Sequence, residues 1–251
     1  GWNNISDWTD YPNQAKRKAA LKTRSFGGLD NTYAINVSSL AQAIETNDIK
    51  MQYILFDACY MSNVETAYEL KDATNFLLAS PNEIMAKGLP YEDIWSYLNT
   101  TTPNYASIIS SYCSHYNSTS TPYASLAAID CRQMDKLAAI MKELNSKYTI
   151  TTERLAGVQT EDGYTPNLYY DLGNYVDSLK PNASMKDQFA TQLKATVKAA
   201  QSTAEVYSNI NATTITVKDF SGLTISDPSS HPVALRTKKQ TKWWKATHEG
   251  E

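Results

Sequence analysis

Cys59 stands where an apolar run stops, in Tyr53-Ile54-Leu55-Phe56-Asp57-Ala58-Cys59-Tyr60-Met61-Ser62-Asn63-Val64-Glu65. The run is rich in aromatic and branched residues and reads as a buried sheet strand; Ser62 and the spacing Val64, Ala67, Tyr68, Leu70 read as the start of a helix. That places the thiol at the carboxyl edge of a sheet, where α/β proteins bind ligands and where the N–H groups of a helix start favour a thiolate. The chemistry such a group can do is nucleophilic attack on an acyl carbon. Position alone leaves the alternative open that Cys59 is a small buried hydrophobe. Side chains two apart on a strand share a face, so Asp57 is expected beside Cys59. A carboxylate there can receive a cationic substrate side chain, or it can cap backbone donors at the strand end.

A thiol nucleophile needs a base. The chain has three histidines, His115, His231 and His248, all after Cys59 and all in polar or C-terminal surroundings that read as solvated or capping positions. Other enzyme signatures are missing: there is no Gly-x-Ser-x-Gly elbow, no His-Glu-x-x-His helix, no Walker loop and no Gly-x-Gly-x-x-Gly.

The elements that must position Cys59 follow from periodicity. Residues 1–30 carry Lys16, Arg17, Lys18, Lys22 and Arg24 and close on Gly27-Gly28, the composition of an exposed basic loop. A helix is expected over 38–45, capped by Ser38 or Ser39, with Leu40, Ala43 and Ile44 inward. An apolar strand over 75–80 is stopped by Pro81 and completes a β-α-β unit with the Cys59 strand. Helices over 92–99 and 103–112, a strand over 123–130 and a helix over 132–147 follow, the last with the stripe Met134, Leu137, Ala138, Met141 and Leu144. The second half reads as helices over 168–179 and 185–202, then β-like stretches over 213–217 and 222–225. No repeat or linker divides the chain, so one domain over 1–251 is expected, with an extension or subdomain from about 150 to 251 that Trp243-Trp244 would anchor.

Composition narrows the class. The 251 residues are 42% hydrophobic, enough for one α/β core, and the net charge of −3 from 23 basic and 26 acidic residues gives no polybasic face for nucleic acid or an anionic membrane. No apolar stretch approaches the roughly 18 residues of a membrane span. Three cysteines make no even disulfide framework, and Cys113 and Cys131 read as buried thiols or, in an oxidising compartment, as a pair. Seventeen tyrosines with many Asn, Ser and Thr residues hint at a protein outside the cytoplasm.

Phe56-Asp57-Ala58-Cys59-Tyr60-Met61-Ser62, followed by Leu78-Ala79-Ser80-Pro81-Asn82-Glu83 and Gly88-Leu89-Pro90-Tyr91, resembles the clostripain family of cysteine endopeptidases over about residues 1–95. The resemblance implies a caspase-like α/β fold, a mostly parallel sheet flanked by helices, with Cys59 as nucleophile. The family's base lies in a His-Gly-x-Gly-Trp motif upstream of the cysteine. Gly1-Trp2 resembles the last two residues of that motif, which implies a base histidine upstream of Gly1, an oxyanion held by the Cys59 N–H and the glycine after that histidine, and a chain that is inactive alone. The matching Asp57 would recognise Arg or Lys before the cleaved bond, and self-cleavage in the basic loop would fall at Lys22 or Arg24. Gly88-Leu89-Pro90-Tyr91 departs from the family's Gly-Trp-Asp-Tyr by losing a second pocket acid, with Glu83, Glu92 or Asp93 to compensate and Lys87 to oppose a cation. Some members need calcium; the carboxylates here have no EF-hand spacing, so no cofactor is expected. The expected partner is a peptide or protein substrate, and the expected location is secreted or bound to a bacterial envelope. The competing reading is a catalytically inactive peptidase-like domain that binds peptides or glycans at a cell surface.

Overall fold

Four strands of small and branched residues pair into the sheet on which the rest of the chain is hung. The computed structural model describes residues 25–26 and 35–248. A short antiparallel pair, β1 (Ser25–Phe26) and β2 (Ile35–Asn36), leads into α1 (Val37–Glu45). Then come β3 (Met51–Leu55), α2 (Val64–Glu69), β4 (Thr74–Ala79), α3 (Tyr91–Leu98), α4 (Tyr105–Asn117) and β5 (Ser125–Asp130). After a short 3-10 turn follow α5 (Met134–Lys147), α6 (Thr152–Leu155), β6 (Tyr170–Asp171), α7 (Leu172–Leu179), α8 (Ala183–Thr196) and β7 (Val197–Ser202). A hairpin of β8 (Glu205–Ser208) and β9 (Thr213–Thr216), then β10 (Thr224–Ile225), α9 (Pro232–Thr237) and α10 (Lys242–Thr247), complete the chain.

The main sheet has the order β3-β4-β5-β7. β3 and β4 run parallel across α2, as the β-α-β reading requires. The α/β expectation stands, but the described sheet is mixed rather than mostly parallel, because β5 is antiparallel to β4 and β7 is antiparallel to β5. The cause lies in the connections. The segment after β4 leaves and re-enters at one sheet edge, where Ala79 faces Ala127, so β5 has to run back. Alternation along the strands splits the core in two. Leu77, Ala79, Ala127 and Ile129 face α1, α2, α5, α7, α8 and α10, whereas Phe76, Leu78, Leu126 and Ala128 face α3 and α4. Trp243 is fully buried in the first layer against the Tyr68 ring, and its indole N–H donates to Asp227 Oδ2 at 3.0 Å.

Three expected helices come out differently; the one expected over 168–179 begins only at Leu172, after β6. The helix expected over 103–112 runs to Asn117, because Tyr112, Cys113 and Tyr116 continue its buried face beneath a polar exterior. The helix expected over 185–202 stops at Thr196, and Val197–Ser202 forms the edge strand β7. Alanine and lysine favour a helix, but here tertiary packing decides, since Gly222 lies across the sheet on Ala200 and Ala127 and larger strand-forming side chains have no room. Among the described residues no helix is long and apolar enough to cross a membrane.

Gly222 has φ of +79°, and a Cβ there would lie 2.5 Å from Ala200 Cβ and 3.0 Å from Ala127 Cβ. Gly222→Ala is therefore expected to destabilise the protein by about 2 kcal/mol or more. Gly157→Ala, whose Cβ would meet only Arg154 O at 3.5 Å, should be near neutral. Thermal unfolding of the two variants side by side checks the pair, and equal losses would contradict the packing account.

Candidate active site

The strand that delivers Cys59 ends earlier than its apolar run. β3 stops at Leu55, Phe56 N adds one further bond to Leu78 O at 2.9 Å, and the chain then turns. Asp57 and Cys59 thus lie in a turn at the carboxyl edge of the sheet, and the pleat does not set their faces. They lie two residues apart in sequence, and the buried Tyr112 has its phenol raised first by burial and then by neighbours that include both Asp57 and Cys59.

The turn is held from several sides. Tyr60, directly after Cys59, has φ of +58°, a left-handed conformation that costs a non-glycine residue about 1 to 3 kcal/mol unless its surroundings enforce it. Tyr60 N donates to Asn82 O at 2.9 Å and Ser62 N to Ser80 O at 3.0 Å, so the segment after β4 extends the sheet pairing around the turn. Asn63 caps α2 by accepting from Thr66 N at 2.8 Å and donates its amide to Tyr60 O at 2.7 Å. Ser62 Oγ reaches Gly222 O at 2.7 Å.

Asn63 thereby takes one of the donors at the start of α2, and the thiol's donor comes from elsewhere. Cys59 Sγ accepts from Ile84 N at 3.3 Å. Burial pushes the thiol above its ordinary value, the Glu83 charge adds to this, and the Ile84 N–H opposes it. Left to these surroundings, the half-buried thiol is protonated at neutral pH.

Asp57 is exposed, and its Oδ2 accepts from Leu89 N at 3.2 Å. Gly88, at φ of +70°, passes so close that a Cβ would sit 2.6 Å from that oxygen. Tyr116 Oη fixes the Gly88 carbonyl at 2.7 Å. Burial and the Asp57 carboxylate push the Tyr91 phenol up to about 12. The Gly88-Leu89 turn and Tyr91 thus hold Asp57, which caps one backbone donor while staying open to solvent. The acids expected to compensate for Pro90 are placed otherwise. Glu83 Oε1 accepts from Tyr60 Oη, Ser208 Oγ and Asn209 N, Asp93 pairs with His115 Nδ1 at 2.8 Å, and Glu92 is exposed on α3.

Each histidine is engaged elsewhere. His115 is the partner of Asp93; His231 caps α9, accepting from Val233 N at 3.2 Å; His248 stacks on Trp244 with centroids 3.5 Å apart. No hydrogen bond joins any of them to Cys59 among the described residues. Cys113 and Cys131 are buried free thiols pushed up to about 12 by burial. Lys22 and Arg24 lie outside the described residues.

Behind the site is a buried polar network that periodicity did not signal. Asn82 donates to Glu161 O at 2.8 Å and to Glu161 Oε2 at 2.5 Å, and accepts from Ser125 Oγ at 2.6 Å. Ser125 Oγ in turn meets Ser80 Oγ at 2.9 Å. Burial holds the Glu161 carboxyl well above the carboxylate range. Asp162, raised to about 6 by burial, accepts from the backbone of Tyr164, Leu168 and Tyr169. The one local cue was Ser80-Pro81-Asn82-Glu83 at the strand end. Asp162 and Glu161 Oε2 are held by protein donors, Glu161 Oε1 is buried without one, and among the described residues no group of three His, Cys, Asp or Glu side chains is arranged to hold a metal ion.

The clostripain family profile matches residues 2–231. A clostripain from Bacteroides thetaiotaomicron ATCC 29148, solved with the peptide inhibitor BTN-VLTK-AOMK, is 42% identical, with a TM-score of 0.86 over 90% of this chain and 100% of that one. A secreted cysteine protease from Bacteroides thetaiotaomicron, iotapain, is 41% identical, with a TM-score of 0.86 over 97% of this chain; the match spans 66% of its length. A B. fragilis cysteine protease is 25% identical, with a TM-score of 0.79 over 88% of this chain and 96% of that one. No curated protein sequence matches. The fold is caspase-like, and a profile match from residue 2 to residue 231, on an architecture that an inhibitor-bound protease shares along its whole length, means that this chain belongs to the clostripain family of cysteine proteases.

Proposed function

We propose that Cys59 is the nucleophile of an endopeptidase that cleaves after lysine or arginine, with Asp57 receiving the cationic side chain. The observation that carries this reading is the exposed Asp57 carboxylate held by the Gly88-Leu89 turn, two residues before a thiol held by Ile84 N–H. The peptide of the inhibitor bound to the 42% identical clostripain ends on Lys before its AOMK group, which supports the same preference.

A thiol raised by burial, with the chain's own histidines engaged, needs its base from elsewhere. We assign that base to a histidine upstream of Gly1. β3 favours this, because its Tyr53, Ile54 and Leu55 are half-buried and its outer edge is unpaired among the described residues, so a further strand can add there. The histidine takes the thiol proton, and Cys59 Sγ forms a bond to the scissile carbonyl carbon. The oxyanion is held by the Cys59 N–H and by the glycine after the histidine. The C–N bond then breaks as the histidine returns its proton to the leaving amine, and water hydrolyses the thioester. The same specificity turned inward cuts the basic stretch at Lys22 or Arg24. Secretion or attachment to a bacterial envelope fits the secreted relative.

Intact mass of the full-length protein, after exposure to a lysyl or arginyl electrophile, tests the reading. A single adduct on Cys59, absent from Cys59→Ala, is expected; no adduct with these or with other side chains before the trap would favour a peptide-binding domain instead. Asp57→Asn should lower kcat/KM for lysyl and arginyl substrates by about 10- to 100-fold, the range of one hydrogen bond to a charged group. Unchanged selectivity in that variant would remove Asp57 from the pocket. Because a raised thiol pKa leaves the nucleophile protonated, iodoacetamide alkylation of Cys59 in the 251-residue chain should rise about tenfold per pH unit from 7 to 9. Restoring the upstream histidine should make the rate level off below pH 7, and a plateau near 7 in the shorter chain would contradict the external base.

A further inference from the structure

The segment that follows β4 touches both residues that present the thiol. Asn82 O accepts from Tyr60 N at 2.9 Å, Glu83 Oε1 accepts from Tyr60 Oη at 2.8 Å, and Ile84 N donates to Cys59 Sγ at 3.3 Å. The same Glu83 oxygen accepts from Ser208 Oγ at 3.0 Å and from Asn209 N at 2.8 Å, where β8 turns toward β9. Tyr60 has left the ordinary backbone regions at φ of +58°, and its ring stacks on Tyr169 with centroids 5.3 Å apart. A bulky residue relaxes out of that conformation unless something holds it. Three donors converging on one anionic oxygen form such a hold, since bonds to a charged acceptor are roughly twice as strong as neutral ones.

We infer that Glu83 is a positioning residue of the reaction: its carboxylate ties Tyr60 to the β8–β9 turn and thereby fixes Cys59 Sγ against the Ile84 N–H. The inference rests on Cys59 being the nucleophile, as proposed above. Glu83 contributes through geometry and against its own electrostatics, because its charge opposes ionisation of the thiol that it helps to place. Tyr112 and Tyr164, two further phenols that feel the Cys59 charge, are both held protonated by burial, and the Asp57 carboxylate lies two residues before the thiol. The Tyr60 phenol is likewise raised by burial and by Glu83, so it remains a donor.

The opposing signs make the role separable from plain stability. In the full-length enzyme, Glu83→Ala should lower kcat on a lysyl peptide about tenfold or more, with KM within about threefold of wild type, the cost of a misplaced nucleophile. Glu83→Gln keeps an acceptor oxygen without the charge. It should recover most of that kcat, and the pH midpoint for iodoacetamide alkylation of Cys59 should move down. Tyr60→Phe removes the hydroxyl on the same tie and should cost several-fold in kcat; combined with Glu83→Ala it should cost no more than Glu83→Ala alone. The inference is overturned if Glu83→Ala keeps wild-type kcat, if Glu83→Gln loses as much as Glu83→Ala, or if the two losses multiply. Should Glu83→Ala not fold, Glu83→Gln and Tyr60→Phe decide alone, an unchanged kcat in Tyr60→Phe or an unmoved alkylation midpoint in Glu83→Gln counting against it. Wild-type turnover that survives Cys59→Ala would instead remove the nucleophile assignment, so the two failures appear in different variants.

Discussion

The site depends on one constraint, the left-handed turn at Tyr60 that ends the β3 run and turns the chain toward α2. A strand that continued straight would carry Cys59 past the end of its neighbour. Because the chain turns at once, the segment after β4 can keep pairing with it, through Asn82 O and Ser80 O, and can bring Ile84 N–H to the thiol. The parallel pairing of β3 with β4 is what makes this possible, since both strands then end at the same edge. Ser62 and Thr224, which meet across the turn, carry the constraint on to β10, and Gly222 carries it to the face of β5 and β7.

Electrostatics around the turn runs against ionisation. The thiol is half-buried, burial and the Glu83 charge both raise it, and the Ile84 N–H is the main opposing influence. Such a group is inert until a cation or base comes close. The nearby acids are divided by their donors. Asp57 accepts one backbone N–H and faces solvent, Glu83 is taken up by Tyr60 and the hairpin turn, and Glu161 is buried behind Asn82 with its carboxyl raised. Of these three acids Asp57 is the exposed one, while Glu83 and the His115-bound Asp93 already have partners within the protein.

Much of this was legible because the signals were local. The apolar run into Asp57-Ala58-Cys59, the helix at Val64 and the strand stopped by Pro81 lie close together in sequence, and each follows from short-range patterning. What patterning missed depended on distant residues. β7 reads as helix in Lys-Ala-Ala-Gln and becomes a strand because Gly222 and Ala127 leave room only for small side chains. The thiol's donor was expected from the start of α2, but Asn63 caps Thr66 N there and Ile84, twenty-five residues away, supplies the donor. Asp57 lies beyond the end of β3, held by its Gly88-Leu89 support, so strand alternation does not set the way it faces. The sheet is mixed because connections, which composition does not reveal, return to the same edge.

On the proposed reading, Cys59 and Asp57 form one site for a basic residue and the bond after it. The most direct measurement is a structure of the full-length enzyme inactivated by a lysyl electrophile. The account predicts a covalent bond from Cys59 Sγ and the lysine ammonium within about 3 Å of an Asp57 carboxylate oxygen, an ordinary charge-assisted contact. An adduct on any other residue, or a lysine side chain directed away from Asp57, would contradict it.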